Sequence, residues 1–239
     1  MKPTNTNDPV RDARRSASRR RRGALRVALF LETLAVAAVA LAATARAQSG
    51  DSTLFFREDW AETPPSLPIT PEHVTHPDLK LHLYGNGPAC VKKSHHENPP
   101  LDPYYVWSGR CEGTWAVTLS REEALADLSG PAARVEWRSR PTGFRRIRLI
   151  LKRADGSWLV SEQADALAGM WHTRAFPVQS LQWRSLDIET VTEGARVDDP
   201  DLSRVAEIGF TDLMRGGSSP ASTRIDWIAV YGNDVIRDE

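Results

Sequence analysis

Hydrophobic and polar residues alternate in several short runs after residue 50, most clearly at the end of the chain. Between Val205 and Gly232, two runs with a period of two residues flank a loop rich in Gly, Ser and Pro. Such a period is typical of β-strands. The second run, from Ile225 to Val230, has large apolar side chains on both faces, as a central strand does. We therefore expect a strand from the start of the domain to pair with it.

The rest of the pattern also indicates strands. Helical periodicity is confined to two short candidates, residues 121–126 and 165–169, which are too short to carry an architecture. Asp155-Gly156 lies between two alternating runs and predicts a tight hairpin. The sequence thus predicts an all-β fold, an antiparallel β-sandwich of about ten strands. Further strands are expected at residues 54–60, 79–84, 104–107, 114–119, 134–138, 144–152, 158–161, 170–176 and 183–188.

The N-terminal segment is typical of an export signal. Residues 1–22 are polar and basic, residues 34–43 are apolar, and Ala45-Arg46-Ala47 has the small-x-small pattern of a cleavage site. We interpret residues 1–47 as a signal peptide with a basic n-region, cleaved before Gln48, and residues 48–239 as one domain. The protein is then secreted or periplasmic, through the Sec or the twin-arginine route. The alternative is an uncleaved segment that would contact the membrane.

Export changes the charge balance. Ten of the 31 basic residues and three of the 31 acidic residues lie in the first 47 positions, so residues 48–239 carry 21 basic and 28 acidic side chains, a net charge of −7. Such an acidic domain is a poor candidate for binding nucleic acid. The two cysteines, Cys90 and Cys111, both belong to the exported part. In an oxidising compartment they are expected to form a disulfide, worth about 3 kcal/mol for a loop of this length.

The tryptophans divide into two groups by their neighbours. Those within alternating apolar runs are expected to be core residues. Those near strand ends in polar company could stack on a sugar ring or pack at the rim of the sandwich, and both interpretations stay open. The expected core group is Trp115, Trp137, Trp158 and Trp227, and the second group is Trp107, Trp171 and Trp183.

The segment from Pro88 to Arg110 holds an unusual density of titratable and hydrogen-bonding side chains within the predicted disulfide loop. Long loops pinned on a rigid sheet often carry ligand contacts. In one interpretation His95 or His96 works with Tyr105 as a catalytic proton-transfer pair. In the second the loop binds a polysaccharide without turnover, and in the third it is a hydrophilic surface segment.

A structural calcium ion is the one cofactor that the residues suggest. Glu58 and Asp59 in the first strand could meet Asp226 in the last strand, and oxygen ligands suit a hard cation. Solvated carboxylates at a sheet edge are the alternative. The sequence contains no nucleophilic-serine elbow, phosphate-binding glycine loop or zinc-protease helix motif.

Residues 201–213 and the closing Asp226-Trp227-Ile228-Ala229-Val230-Tyr231-Gly232 resemble the last strands of galactose-binding-like jelly rolls, the fold of many carbohydrate-binding modules. Residues 154–160 followed by 183–188 are similar to a pattern in secreted bacterial proteins. The resemblance covers residues 54–232 and implies a concave sheet face or loop rim that binds glycans.

We therefore expect a secreted carbohydrate-binding β-sandwich that recognises a polysaccharide or oligosaccharide. The alternatives are a glycan-cleaving enzyme, either a glycoside hydrolase or a polysaccharide lyase, and a structural or interaction protein of the cell envelope. The residues predicted to contact the glycan are Tyr104, Tyr105, Trp107, Arg110, Trp171 and His172.

Overall fold

The computed structural model describes residues 52–97, 101–215 and 219–237, so the predicted signal segment, residues 1–47, lies outside the described residues. The described part holds fourteen strands and three short 3-10 helices, and within it no helix is long and apolar enough to cross a bilayer. The strands are β1 (Thr53–Glu58), β2 (Leu79–Tyr84), β3 (Lys92–Ser94), β4 (Tyr105–Trp107), β5 (Ala116–Arg121), β6 (Ala124–Asp127), β7 (Arg134–Ser139), β8 (Ile147–Arg153), β9 (Trp158–Asp165), β10 (His172–Pro177), β11 (Trp183–Asp187), β12 (Thr192–Val197), β13 (Val205–Thr211) and β14 (Arg224–Ile236).

The strands form two antiparallel sheets. The first sheet has the order β10-β7-β14, with β1 and β4 paired to the other side of β14 and β3 beyond β4. The second sheet has the order β2-β5-β13-β8-β9-β11-β12. The short strand β6 pairs with β13 and with the end of β14, so β14 leaves the first sheet and joins the second. The predicted antiparallel β-sandwich is confirmed.

The last strand occupies the centre of the first sheet, as its two apolar faces predicted. β1 runs antiparallel along one side of it, from Thr53 opposite Gly232 to Glu58 opposite Ile228. β7 covers the other side. The two ends of the domain are therefore held in one sheet by backbone hydrogen bonds.

The core lies between the two sheets. Trp137 of β7 is fully buried, and its ring lies 6.3 Å from that of Phe210 in β13 of the facing sheet. Trp115 and Trp158 are also buried, as predicted, whereas Trp227 is half-buried on the outer face, 4.2 Å below the Arg57 guanidinium. The sequence places Trp183 among the tryptophans near strand ends with polar neighbours, but it packs in the core and is 3% exposed.

Two further expectations differ from the structure. Residues 121–126 are not a helix, because Ala124–Asp127 pairs with β13 and β14, and no helix forms at 165–169. In the segment from Pro88 to Arg110, which is expected from the sequence to be a loop, Lys92–Ser94 forms a strand beside β4.

The disulfide between Cys90 and Cys111 is confirmed, with the two Cα atoms 5.3 Å apart.

The second sheet curls strongly. In a flat sheet β5 and β11 would lie about 19 Å apart, four strand spacings. Yet the Thr114 hydroxyl, just before β5, donates to the carbonyl oxygen of Thr190, in the turn after β11, at 2.7 Å. Gly209 in β13 permits the close approach of β5, because a Cβ there would lie 1.9 Å from the Val117 carbonyl oxygen. The outer face of this sheet is therefore concave.

One buried cation belongs to the disulfide loop itself. Lys93 of β3 is fully buried, and its Nζ lies 4.4 Å from the centre of the Tyr104 ring. Among the described residues, the single acceptor for this ammonium is the Thr63 carbonyl oxygen at 3.3 Å. Burial lowers the pKa of Lys93 to about 8, although Glu62 acts in the opposite direction. The charged ammonium is therefore only weakly compensated.

We expect Lys93→Met to stabilise the protein at pH 7 by about 1–3 kcal/mol, since it removes a poorly paired buried charge and keeps the apolar stem. As the pH rises from about 8 towards 10.5, the folded wild type releases its proton before the unfolded chain does, so wild-type stability increases. The advantage of Lys93→Met should shrink over that window in urea unfolding curves. Lys92→Met, at the half-buried neighbour, is the control, with an expected change within about 0.5 kcal/mol. A stability advantage of Lys93→Met that does not change with pH would contradict the explanation by a buried charge.

Candidate functional site

The curl of the second sheet closes one end of its concave face. Side chains that point away from the main core pack there into a second apolar cluster, and Tyr84, Ile188 and Leu213 pack against it. Val191, from the turn between β11 and β12, reaches over to Gly85 after β2, where a Cβ would lie 2.8 Å from its Cγ2. The buried members are Ala116, Ile150, Trp158, Val160, Leu186 and Val191.

The other end of the concave face is open. It holds a cavity of about 440 Å³, within the usual range for small-molecule sites of about 300–1,000 Å³. We call it the groove cavity. Its walls come from β2, β5, β8 and β13 and from the end of the chain. They comprise Lys80, His82, Ser120, Arg121, Glu122, Lys152, Arg153, Ala154, Ala206, Glu207 and Arg237.

A buried carboxylate organises this cavity. Glu207 of β13 is only 5% exposed and accepts hydrogen bonds from three neighbouring strands. The donors are the Lys152 ammonium at 2.8 Å, the Thr118 hydroxyl at 2.6 Å and the Tyr84 phenol at 2.9 Å. Strand pairing brings these groups together. Glu207 of β13 is opposite Lys152 of β8, and Tyr84 lies on β2, which pairs with β5 on the other side of β13. The carboxylate therefore holds one ammonium and one aromatic ring in fixed positions.

The protonation states at the cavity follow from these contacts. Burial by itself would raise the pKa of Glu207, but the hydrogen bonds from Lys152 and Thr118 outweigh it and hold that pKa below its usual value. Burial, reinforced by the charge of Glu207, raises the pKa of the Tyr84 phenol. Burial also lowers the pKa of His82. At pH 7 the cavity lining thus holds a carboxylate and a neutral imidazole, and the Tyr84 phenol that donates to the carboxylate is neutral.

Polar and aromatic groups meet at this site. His82 Nε2 lies 2.8 Å from the Ser120 hydroxyl oxygen, and the imidazole stacks at 6.3 Å on the Tyr84 ring. The Tyr84 ring in turn meets Trp158 edge to face at 5.0 Å, and the Lys152 ammonium lies 5.4 Å from the centre of the Trp158 ring. The cavity lining therefore offers a ligand both donors and acceptors, whereas the Tyr84 and Trp158 rings contact the lining residues His82 and Lys152 and do not line the cavity themselves.

Part of the site predicted in the disulfide loop also comes together. His96 Nδ1 lies 2.9 Å from both the Asp102 carboxylate and the Tyr105 hydroxyl oxygen. The Tyr105 ring packs 5.5 Å from Trp171, whose ring lies 5.3 Å from the Arg138 guanidinium. We call these side chains the loop cluster. Tyr105 is only 2% exposed, so its phenol contacts His96 from the protein interior. The assignment of His95 or His96 with Tyr105 as a catalytic pair stays a prediction.

The other predicted site residues point elsewhere. Tyr104 stacks on His95 at 4.1 Å, and Trp107 lies between Lys92 and Arg224. His172 belongs to a buried polar network: its Nε2 lies 2.7 Å from Asp165, which is 2% exposed. Arg110 is exposed. Of the six predicted glycan contacts, Tyr105 and Trp171 thus belong to the loop cluster, and the assignment of all six to glycan binding stays a prediction.

The three carboxylates predicted to hold calcium have protein partners. Glu58 is fully buried and accepts from the backbone N–H groups of Trp60, Thr75 and His76. Asp59 pairs with Arg57, and Asp226 pairs with Arg138 at 2.5 Å. Across residues 52–97, 101–215 and 219–237, no group of three or more His, Cys, Asp or Glu side chains is arranged to hold a metal ion. The calcium site stays a prediction.

Sequence reasoning did not find the groove cavity. Neither Glu207 nor His82 is among the site residues that the sequence predicts. The signal that could have found them is a carboxylate in the middle of a strand whose neighbours on both sides are apolar, because such a group must be paired when buried. Which strands supply its partners depends on the sheet order.

Several solved structures are similar to the chain, although no protein-family model and no curated protein sequence matches it. The family 11 carbohydrate-binding module of the cellulosomal cellulase Lic26A-Cel5E of Clostridium thermocellum has a TM-score of 0.44 at 12% identity, covering 76% of this chain and 95% of that one. The same module family of that organism, in complex with a β-1,3-1,4-mixed-linked tetrasaccharide, has a TM-score of 0.41 at 14% identity, with 72% and 98% covered. A Bacillus licheniformis β-glucanase has a TM-score of 0.38 at 14% identity, with 78% and 100% covered. These are distant likenesses of architecture.

Proposed function

We propose that this protein binds an oligosaccharide in the groove cavity. The observation that carries the proposal is the Glu207 network: a buried carboxylate at the concave face that positions Lys152 at an open volume of about 440 Å³, which His82 also lines. A sugar presents hydroxyl groups that donate and accept, together with apolar ring faces. Convergent polar side chains, with the flat His82 ring among them, suit both.

The cost of this arrangement also supports a binding role. Burying the Glu207 carboxylate beside the partly exposed Lys152 ammonium requires desolvation that their attraction only partly offsets, and apolar side chains can often replace such a pair without loss of stability. Lys152 and Glu207 lie on the outer face of the sheet, where the main core does not need them. Groups held rigidly at such a face are suited to recognising a polar ligand.

Glycan binding is measured and then located either at the groove cavity or at the loop cluster. A glycan array followed by titration calorimetry on the best oligosaccharide should give binding that His82→Ala weakens about tenfold, the effect of losing one or two buried hydrogen bonds. Glu207→Gln should weaken binding as well, with circular dichroism to confirm folding. Trp171→Ala, in the loop cluster, is the matched aromatic control and should leave the affinity unchanged. Loss of binding in Trp171→Ala alone would move the site to the loop cluster, and no binding to any glycan would refute the proposal.

A further inference from the structure

The groove cavity and the domain around it carry opposite charge. Its lining contains the basic residues Lys80, Arg121, Lys152, Arg153 and Arg237, but only two acidic residues, Glu122 and Glu207. Residues 48–239 as a whole carry 21 basic and 28 acidic side chains. A positive cavity in a negative domain is a local feature that average composition does not produce, and it concentrates anions.

Internal ion pairs leave part of this charge uncompensated. Arg121 pairs with Asp234 and Arg153 with Asp155, both outside the lining set. Lys80 also pairs with Glu122 and Lys152 with Glu207, so among the described residues four of the five cations have a carboxylate partner. Arg237 is exposed and donates to the Arg121 carbonyl oxygen, and within the described part of the chain its guanidinium pairs with no carboxylate.

The cations also keep free hydrogen-bond donors. The Lys152 ammonium has three N–H groups and uses one on Glu207, while its side chain remains 32% exposed. The Arg237 guanidinium has five N–H groups, and one of them reaches the Arg121 carbonyl at 3.4 Å. These two groups approach the cavity from β8 and from the end of the chain, so an anionic group between them would be held from two sides.

We propose that the glycan bound in the groove cavity is acidic, with carboxylate or sulfate groups that Lys152 and Arg237 contact. This inference rests on the proposed function and adds the chemical class of the ligand. Charge-assisted hydrogen bonds from lysine and arginine to such groups are about twice as strong as neutral ones, and arginine can bind them through two N–H groups. A neutral glycan that covered the cavity would desolvate the cations without pairing them, which costs affinity.

The test compares ligands that share a backbone and differ in charge. Titration calorimetry would use two matched pairs: tetragalacturonate with its fully methyl-esterified form, and a κ-carrageenan tetrasaccharide with its desulfated form. We expect at least one of the two anionic probes to bind about tenfold or more tightly than its own uncharged form, and the affinity to fall as NaCl is raised. The anion that binds distinguishes carboxylate from sulfate recognition.

Variants place the effect in the cavity. Arg237→Gln should weaken binding of the preferred anionic probe about tenfold and leave any binding of its uncharged form unchanged. Arg174→Gln is the control with the same charge change, because Arg174 is exposed on β10 at the edge of the first sheet. It should leave both affinities unchanged.

The outcomes separate this inference from the proposed function. Equal affinity for charged and uncharged probes, or for neutral glycans found on the array, would overturn the acidic ligand class while oligosaccharide binding stands. Anionic binding that is insensitive to Arg237→Gln but lost in Arg174→Gln would overturn it as well, because the contact would lie outside the cavity. If no glycan of any kind binds, the proposed function fails first and the inference with it.

Discussion

Replacing Arg145 with methionine is expected to destabilise the protein by about 3–5 kcal/mol, because it leaves a buried carboxylate without its cation. The side chains of Arg145 and Asp212 are 0% and 1% exposed, and they pair at 2.9 Å between the start of β8 and the segment after β13. Asp212 also accepts from the Thr223 hydroxyl and the Met214 backbone N–H. Burial already raises the pKa of Asp212 although Arg145 opposes the rise. Without the Arg145 guanidinium, burial would raise the pKa of Asp212 further.

The measurement is urea unfolding at pH 7, together with thermal unfolding. For a domain of this size the loss corresponds to a Tm lower by about 6–20 °C. The double variant Arg145→Met/Asp212→Asn is the control, since the amide keeps an acceptor and carries no charge. It should be more stable than the single variant. Equal stability of the two would show that the lost contacts of Arg145, rather than the stranded charge, set the cost.

Replacing Glu58 with glutamine is expected to cost about 2–4 kcal/mol, although the two side chains have the same shape. The carboxylate of Glu58 accepts three backbone N–H groups, those of Trp60, Thr75 and His76, at 2.7–3.0 Å. An amide can offer only one acceptor atom, so at least one of these buried donors would face an NH₂ group and lose its partner. The carboxylate thus ties the end of β1 to the segment before β2.

Asp59→Asn is the matched control, with the same carboxylate-to-amide change one residue further on. The Asp59 side chain is 54% exposed, and within the described ranges its one ion pair is with Arg57, so its replacement should cost less than about 1 kcal/mol. Both variants are compared by urea unfolding in EDTA and in Ca²⁺. Equal costs for Glu58→Gln and Asp59→Asn would contradict the assignment. A cost for Glu58→Gln that appears only with Ca²⁺ would instead support the calcium site predicted from the sequence.

The secondary structure was largely readable from the order of residues. Period-two alternation predicted strands such as Leu79–Tyr84, and Asp155-Gly156 predicted the hairpin between β8 and β9, where Gly156 has a φ of 86°. The two-sided apolar pattern of the closing strand predicted its central place and its pairing with β1. These features depend on neighbours within a few residues, so the local pattern carries them.

The assignment of tryptophans shows where local patterns fail. Trp183 has polar neighbours in sequence, yet it is buried, because the sheet order places it opposite Ser161 and Val197 with its ring towards the core. Trp227 has apolar neighbours, yet it lies on the outer face. A period of two separates the faces of a strand but does not say which face is covered.

The sequence by itself determined that this chain forms an antiparallel β-sandwich with a central last strand and a disulfide between its two cysteines. Only the tertiary structure decided where a ligand could bind. The contact between Thr114 and Thr190 curls the second sheet, and register brings Glu207, Lys152 and His82 from three strands to one hollow. The physical reason is that strand formation follows from local alternation, whereas a site built across strands depends on contacts between residues distant in sequence, such as Glu207 with Lys152, 55 positions apart, and with Tyr84, 123 positions apart.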